Sequence, residues 1–360
     1  MEHGRGALMA QPDRWLAYGP QGQTIQLQDW FLPQFYQRGG DMALVGTATR
    51  DTVYEAPVSN HPLFLTGNQV GAFPRPPLYD FHGRARELYH LERAFRTDRA
   101  ILLHAMGGMG KTALAREAAQ WLTRTGLFRH GPCFLSFEQP VTAERIAQVL
   151  GTYLEGHAFE SLSQDEQSNR ARALFRSHDV LMVWDNFESV LEMFADPEAV
   201  SDPASTPMPM PGYNAETRRR IIDLFRDWTQ DGRGRLLITC RPEETGLPGV
   251  RRVGLAGLAR PDSLYLLAQV LHKYDLSLDD ERFTPENLDA LLDALQDHPL
   301  SIELVGPHLK RQRPEQIVAD FHRLLEQFRG DAEVERNRSL LASLRFSTSR
   351  LSEQAQAALP

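Results

Sequence analysis

The sequence predicts an α/β fold, in which a parallel β-sheet is covered by helices and followed by an all-helical domain. Two observations predict it. Between residues 81 and 258 short apolar runs alternate with segments of helical periodicity, which is the pattern of strands and crossover helices in a parallel sheet. Beyond about Arg260 the apolar runs stop and helical periodicity continues alone, which favours a helical domain.

The composition is that of a chain with more than one domain. Its 360 residues, 42% hydrophobic and 24% charged, suffice for two or three domains. The net charge of −8 disfavours nucleic acid held through phosphate neutralisation. Because neither a run of about 18 apolar residues nor a signal-peptide core occurs, we expect a cytoplasmic protein without a membrane partner. Cys133 and Cys240 lie in apolar runs, which indicates buried thiols and no disulfide.

The N-terminal part has a different character. Residues 1–65 mix short apolar runs with Gln and Gly, which indicates a fragment that we interpret as the tail of an effector domain. Residues 66–80 contain the segment GAFPRPPLYD, whose prolines favour an extended linker. We therefore place a domain boundary near Tyr79.

The predicted α/β domain spans 81–258. Its first helix places Leu88, Leu91 and Phe95 on one face. A proline-rich stretch, 195–213, interrupts the pattern and is interpreted as a surface insertion. The predicted strands are 100–104, 132–138, 180–184, 235–240 and 250–255.

The predicted helical lid domain spans 259–335. Segments 284–286 (TPE) and 298–300 (HPL) each place proline at the first position of a helix, where its missing N–H costs nothing. A later helix carries an apolar stripe that we expect to pack within its own bundle. The stripe consists of Ile317, Phe321, Leu324, Leu325 and Phe328. Residues 336–360 begin another helical unit, which we expect to be truncated.

The strongest chemical signal is the segment HAMGGMGKTALA, residues 104–115. A glycine-rich turn between a buried strand and a helix points backbone N–H groups at a phosphate chain, and this combination predicts a P-loop NTPase. Lys111 would reach the outer phosphates and Thr112 would bind Mg²⁺. Ala105 replaces the usual first glycine. The residues predicted to contact nucleotide here are Met106, Gly107, Gly108, Met109, Gly110, Lys111, Thr112 and Ala113.

A second candidate Mg²⁺ ligand, Asp185, ends the apolar strand of VLMVWDNFE. An Asp at that position is otherwise a turn or helix cap. The next residue, Asn186, is an amide and cannot act as a strong base. Glu188 is the nearest candidate to orient a water molecule, and it can equally be a carboxylate that stabilises a helix N-terminus. Slow hydrolysis is therefore expected.

Arg241 follows the predicted fourth strand in ITCRPEE. Ligands of open parallel sheets bind at the carboxyl ends of the strands, so its guanidinium is a candidate sensor of the γ-phosphate. The alternative is a surface ion pair with Glu243 or Glu244.

Five motifs occur in a characteristic order: FHGR (81–84), AMGGMGKT, LMVWDNFE, LLITCRP and DHPLSIELVG. From about Tyr79 onward this order resembles the NB-ARC branch of the STAND ATPases, the apoptosis and immune-receptor switches. The resemblance implies that Arg241 is the sensor arginine. It also implies that further residues contact the nucleotide, with Pro299 lying against it. These are Phe81, His82 and Arg84 on the base and ribose side, and His298, Pro299 and Leu300 in the lid.

The resemblance implies a function as well. It implies a bacterial signalling or immunity switch in which ADP holds the lid closed, while ATP opens it and drives self-association that activates an attached effector. Effector and sensor domains would belong to the same full-length polypeptide. The N-terminal fragment is similar to the segment that follows caspase-like CHAT effector domains. Two departures are Asn186, where the family often has an acidic residue, and a winged-helix domain that begins only near Ser339.

Three other functions remain open. A conventional P-loop ATPase or motor would need a strong base beside Asp185 and a coupled substrate site. A nucleotide-stabilised, non-catalytic scaffold would use Lys111 for stability alone. A transcription regulator is the third, although the sequence shows neither a recognition helix nor a basic stripe.

Overall fold

A computed structural model describes residues 14–18, 23–27, 73–191 and 213–327, with side chains in 73–191 and 213–323. The chain divides into two compact units, residues 1–57 and 58–360. In the first unit, strands β1 (Arg14–Tyr18) and β2 (Gln23–Leu27) pair antiparallel.

Several predictions fall outside the described residues. They concern most of 1–65, residues 195–212 of the proline-rich insertion, the unit at 336–360, and the side chains of Leu324, Leu325 and Phe328.

The described part of the second unit contains one parallel five-stranded sheet, as the sequence predicts. The strands are β3 (Ala100–His104), β4 (Pro132–Ser136), β5 (Leu181–Asp185), β6 (Arg235–Cys240) and β7 (Arg251–Gly254). Their order in the sheet is β4-β5-β6-β3-β7. Because the strands are parallel, their carboxyl ends share one edge, and β6 lies between the strand before the glycine-rich loop (β3) and the strand that ends in Asp185 (β5).

Helices cover both faces of this sheet. The bounds of the helices are α1 (Ala85–Phe95), α2 (Lys111–Arg124), α3 (Ala143–Glu155), α4 (Gln164–Ser177) and α5 (Ala215–Gln230). Local sequence explains two of their starts. The Thr142 side chain accepts a hydrogen bond from the backbone N–H of Arg145 at the start of α3, and Ser163 with Glu166 forms a capping box at the start of α4.

Alternate strand residues face opposite sides of the sheet, because the side-chain period of a strand is two. Leu102, Trp184 and Ile238 lie in the core beneath α3, α4 and α5. Ile101 and Leu103 lie in the opposite core, beneath α1 and α2. Burial of the sheet on both faces explains why β3, β5 and β6 are mainly apolar in sequence, whereas the edge strand β7 is mostly exposed and begins with two arginines.

After β7 the described chain is helical. The helices are α6 (Arg260–His272), α7 (Pro285–Ala294), α8 (Pro299–Val305) and α9 (Pro314–Gln327). The side chains of Thr284 and His298 cap α7 and α8 at the predicted positions. Ile317 and Phe321 are fully buried in a core that these helices share, which confirms the packing predicted for these two members of the stripe. No helix in the described ranges is long and apolar enough to cross a bilayer.

Candidate functional site

The glycine-rich loop joins β3 to α2. Gly108 and Gly110 have φ values of +73° and +87°, in the left-handed region that glycine adopts without strain. A Cβ atom on Gly108 would lie 2.7 Å from Leu300 and 2.8 Å from the ring of His298. Glycine is therefore required at this position both for the backbone angle and for the close approach of α8.

The ammonium group of Lys111 lies inside the loop. Its Nζ donates to the carbonyl oxygens of Ala105, at 2.8 Å, and Met106, at 2.9 Å. Burial lowers the pKa of Lys111, an effect that the nearby Glu188 carboxylate opposes. Ala105 is buried, and its N–H donates to the Cys240 carbonyl. The alanine thus fits the loop where the common pattern has glycine.

Thr112 and Asp185 meet although they are 73 residues apart. The Thr112 hydroxyl lies 2.9 Å from Oδ1 and 3.0 Å from Oδ2 of Asp185, and the Thr239 hydroxyl donates to Oδ1 at 2.5 Å. Burial raises the pKa of Asp185, and the two threonine hydrogen bonds oppose that rise. A hydroxyl and a carboxylate side by side fit a Mg²⁺ ion that takes its remaining ligands from phosphate and water.

The next residues form a second polar group at this edge. The backbone N–H of Asn186 donates to the Thr239 hydroxyl at 3.0 Å, and its amide donates to Glu138 at 2.9 Å. Glu188 lies in the first turn of the short 3₁₀ helix Phe187–Val190. It is buried, and one of its two carboxylate oxygens has no hydrogen-bond partner among the described residues.

Arg241 pairs with Glu188 at 3.0 Å. The alternative expectation of a pair with Glu243 or Glu244 is wrong, since Glu244 instead pairs with Arg252 at 2.8 Å. The strand order explains the difference, because β6 neighbours β5 and the residues that follow these two strands meet at the shared edge.

Arg84 connects three parts of the site. Its guanidinium is buried and donates to the carbonyl oxygens of Met109, at 3.2 Å, and Gly257, at 3.1 Å, and to Glu87 at 3.0 Å. The side chain thus ties the start of α1 to the loop and to the segment before α6.

His82 packs edge-on against Tyr265, with ring centroids 4.5 Å apart. Its Nε2 atom is buried without a hydrogen-bond partner among the described residues. Phe81 packs against the core beneath α1 and α2.

The HPL segment touches the loop itself. His298 is fully buried; its Nε2 lies 2.9 Å from the Gly107 carbonyl, while Nδ1 accepts from the backbone N–H of Ser301 at 3.2 Å. The N–H of Leu300 faces the Gly108 carbonyl at 3.4 Å. Burial lowers the pKa of His298, which favours the neutral ring. Because Nδ1 accepts from Ser301 and a carbonyl can only accept, the proton of the neutral ring lies on Nε2 and is donated to Gly107.

These elements enclose a cavity of about 430 Å³, within the size range of small-molecule sites. Asn186 is on its wall, together with most of the predicted site residues. The predicted residues on the wall are Phe81, His82, Arg84, Gly107, Gly108, Met109, Gly110, Lys111, Thr112, Ala113, Glu188, Arg241, Pro299 and Leu300.

Three predicted residues lie behind that wall. Met106 packs against the core of α1 and α2. Asp185 and His298 are buried and contact the Thr112 hydroxyl and the Gly107 carbonyl, respectively.

The structure also adds residues that the sequence analysis missed. Arg116 and Glu303 line the cavity, one helical turn after Thr112 and Pro299, so helical spacing could have indicated them. Thr239 faces the same edge as Arg241, two positions earlier in the chain. Segment 74–80, predicted as linker, contributes Pro74, Arg75, Pro77, Leu78 and Asp80 to the wall.

No protein-family model matches the chain, and no curated protein matches it. Among solved structures, a Walker-type ATPase of Pyrococcus abyssi is 12% identical, with a TM-score of 0.44 over 74% of this chain and 79% of that one. A STAND protein with a tetratricopeptide repeat sensor from Pyrococcus horikoshii is 16% identical, with a TM-score of 0.43 over 77% of this chain and 41% of that one. The chain thus spans about two fifths of that protein's length.

The AMPPCP-bound DnaA of Aquifex aeolicus is 15% identical, with a TM-score of 0.37 over 76% of this chain and 82% of that one. Likenesses this distant assign no activity. The parallel sheet, the glycine-rich loop with Lys111 inside it and the contact between Thr112 and Asp185 make the fold that of a P-loop NTPase.

Proposed function

We propose that the protein binds ATP and ADP with Mg²⁺ and acts as a signalling switch of the STAND class. The observation that carries this proposal is that one cavity has the glycine-rich loop on one side and the lid helix α8 on the other. A nucleotide in this cavity would contact both, so its phosphate state can bias whether the lid stays docked.

Each residue of the loop region has a defined part in this proposal. Backbone N–H groups of 107–112 bind the phosphates, and the Lys111 ammonium leaves its two carbonyl partners to neutralise the outer phosphate. Thr112 and Asp185 hold Mg²⁺, which neutralises phosphate charge when it is bound. Phe81, His82 and Arg84 lie on the base and ribose side, and Pro299 contacts the nucleotide from the lid.

In the switch cycle that we propose, ADP keeps the lid docked. Exchange for ATP brings a γ-phosphate toward Arg241, opens the lid and lets subunits associate, which activates an effector domain in the same full-length polypeptide. Hydrolysis is slow and resets the switch.

The experiment is to denature the purified protein, identify the released nucleotide, and measure ADP and ATP binding by calorimetry. Lys111→Ala should abolish binding, while Thr284→Ala, a lid variant remote from the cavity, should retain it. Turnover well below about 1 s⁻¹, the lower end of ordinary enzymes, together with an ATP-dependent increase in mass by ultracentrifugation, is expected of a switch. A folded protein that binds neither nucleotide contradicts the proposal.

A conventional ATPase is the second candidate, and one observation favours it. Glu188 lines the cavity beside Thr112, and a carboxylate at this place could orient an attacking water molecule. Rapid multiple turnover that Glu188→Gln abolishes would favour this candidate over the switch.

A further inference from the structure

The lid is attached to the backbone of the phosphate loop. Neutral His298 donates to the Gly107 carbonyl at 2.9 Å, and the Leu300 N–H faces the Gly108 carbonyl at 3.4 Å. Two consecutive peptide groups of the loop therefore have their oxygen atoms turned toward α8.

In a trans peptide the carbonyl and the following N–H point in opposite directions. Holding the Gly107 oxygen toward His298 therefore turns the N–H of Gly108 the other way, and holding the Gly108 oxygen does the same for Met109. His298 lies behind the cavity wall, whereas Gly108 and Met109 form part of it. Neither N–H donates to another described residue, so both remain available to an anion.

We propose that His298 is a positioning residue for phosphate binding, which fixes the loop in the conformation that turns the Gly108 and Met109 N–H groups toward the phosphates. Lid docking then sets phosphate affinity through the loop backbone, in addition to any contact between lid and nucleotide. The inference rests on the proposed nucleotide binding.

The close fit of Gly108 supports this coupling. A Cβ atom there would meet both His298 and Leu300 at less than 3 Å, so no side chain separates the loop from the lid. Movement of α8 away from the loop would remove both hydrogen bonds together. Such movement would therefore free the loop backbone and lower its affinity for phosphate.

The test separates the two hydrogen bonds of His298. His298→Asn places a side-chain oxygen where it can still cap Ser301, because Asn is a good N-cap residue, but the shorter side chain cannot reach Gly107. His298→Gln extends an amide donor toward Gly107 and serves as the conservative variant. Thr284→Ala removes another lid cap, that of α7, and controls for general loosening of the lid.

We expect His298→Asn to fold and to weaken ADP binding by about tenfold, as the loss of one partner of a buried hydrogen bond would. Inorganic tripolyphosphate, measured by competition with ADP, should weaken by a similar factor, because the effect acts on the loop and does not involve the base. His298→Gln should recover part of the affinity, and Thr284→Ala should bind as the wild type does.

Two results would overturn the inference while leaving nucleotide binding intact: ADP affinity of His298→Asn within twofold of wild type, or a loss confined to ADP with tripolyphosphate unchanged. Failure of the wild type to bind ADP would instead remove the proposed function itself.

If the variants do not fold, amide hydrogen exchange of the wild-type protein tests the same inference. Added ADP should slow amide hydrogen exchange in 298–303 more than in α7, and an equal slowing in the two segments would contradict the coupling.

Discussion

Arg241 donates its Nε–H to Glu188 across a distance of 3.0 Å, and the two residues are 53 positions apart in the chain. The Glu188 side chain is 10% exposed, whereas that of Arg241 is 55% exposed. Glu188, the candidate for orienting water, is thus paired at the cavity with Arg241, the candidate for sensing the γ-phosphate. A phosphate that attracts Arg241 would compete with Glu188 for it.

This pair predicts non-additive stability effects. Arg241→Ala leaves a buried carboxylate unpaired, which is destabilising, whereas the same change in a Glu188→Gln background leaves no charge behind. We expect a coupling free energy of about 1 kcal/mol in a double-mutant cycle of urea unfolding. The control pair is Arg252→Ala with Glu244→Gln, an exposed ion pair that should be nearly additive. Strict additivity for Arg241 and Glu188 would contradict the structure.

Thr239 should be necessary for the arrangement of the Mg²⁺ ligands. Its hydroxyl donates to Asp185 and accepts from the Asn186 N–H, so Thr239→Val leaves that partly buried N–H unpaired. We expect a loss of about 1–3 kcal/mol in the free energy of unfolding and a weaker effect of Mg²⁺ on ATP affinity in calorimetry. Thr239→Ser keeps the hydroxyl and should behave like wild type; equal behaviour of the Val and Ser variants would argue against this role.

The Asp185 carboxylate should lower the free energy of unfolding at neutral pH. Because burial raises its folded pKa, the carboxyl group destabilises the fold as pH rises through that pKa and the charge forms. At neutral pH Asp185→Asn should therefore raise the free energy of unfolding, while Mg²⁺ no longer strengthens ATP binding. Thermal denaturation without nucleotide measures the first effect and calorimetry the second. A less stable Asn variant would show that the charge contributes favourably.

His298 predicts the pH dependence of the lid. Burial lowers its pKa, and the positive charges of Lys111 and Arg84 lower it further. Since the folded pKa lies below the ordinary value of 6.5, stability is fully present above that pH and is lost as pH falls below it. Wild type should therefore lose more free energy of unfolding than His298→Asn between about pH 7.5 and 5.5, with an excess slope of at most about 1.4 kcal/mol per pH unit. Parallel curves for the two proteins would exclude His298 as the cause.

Much of the fold follows from local sequence. Mainly apolar runs predict β3 and β6 with the bounds that the structure has, because a strand buried on both faces is apolar at most of its positions. The starts of α7 and α8 were predicted from the prolines that follow Thr284 and His298. The order of the strands was not predictable in this way, since any order of parallel strands preserves the same apolar pattern.

The sequence by itself determined the phosphate loop, since its glycines, Lys111 and Thr112 are consecutive and their geometry follows from one turn between a strand and a helix. Only the tertiary structure decided which distant groups meet that loop. The insertion of β6 beside β5 brings Arg241 to Glu188 and Thr239 to Asp185, and the docking of α8 brings His298 to Gly107. Contacts of this kind depend on packing between elements far apart in the chain, and local propensity carries no information about that packing.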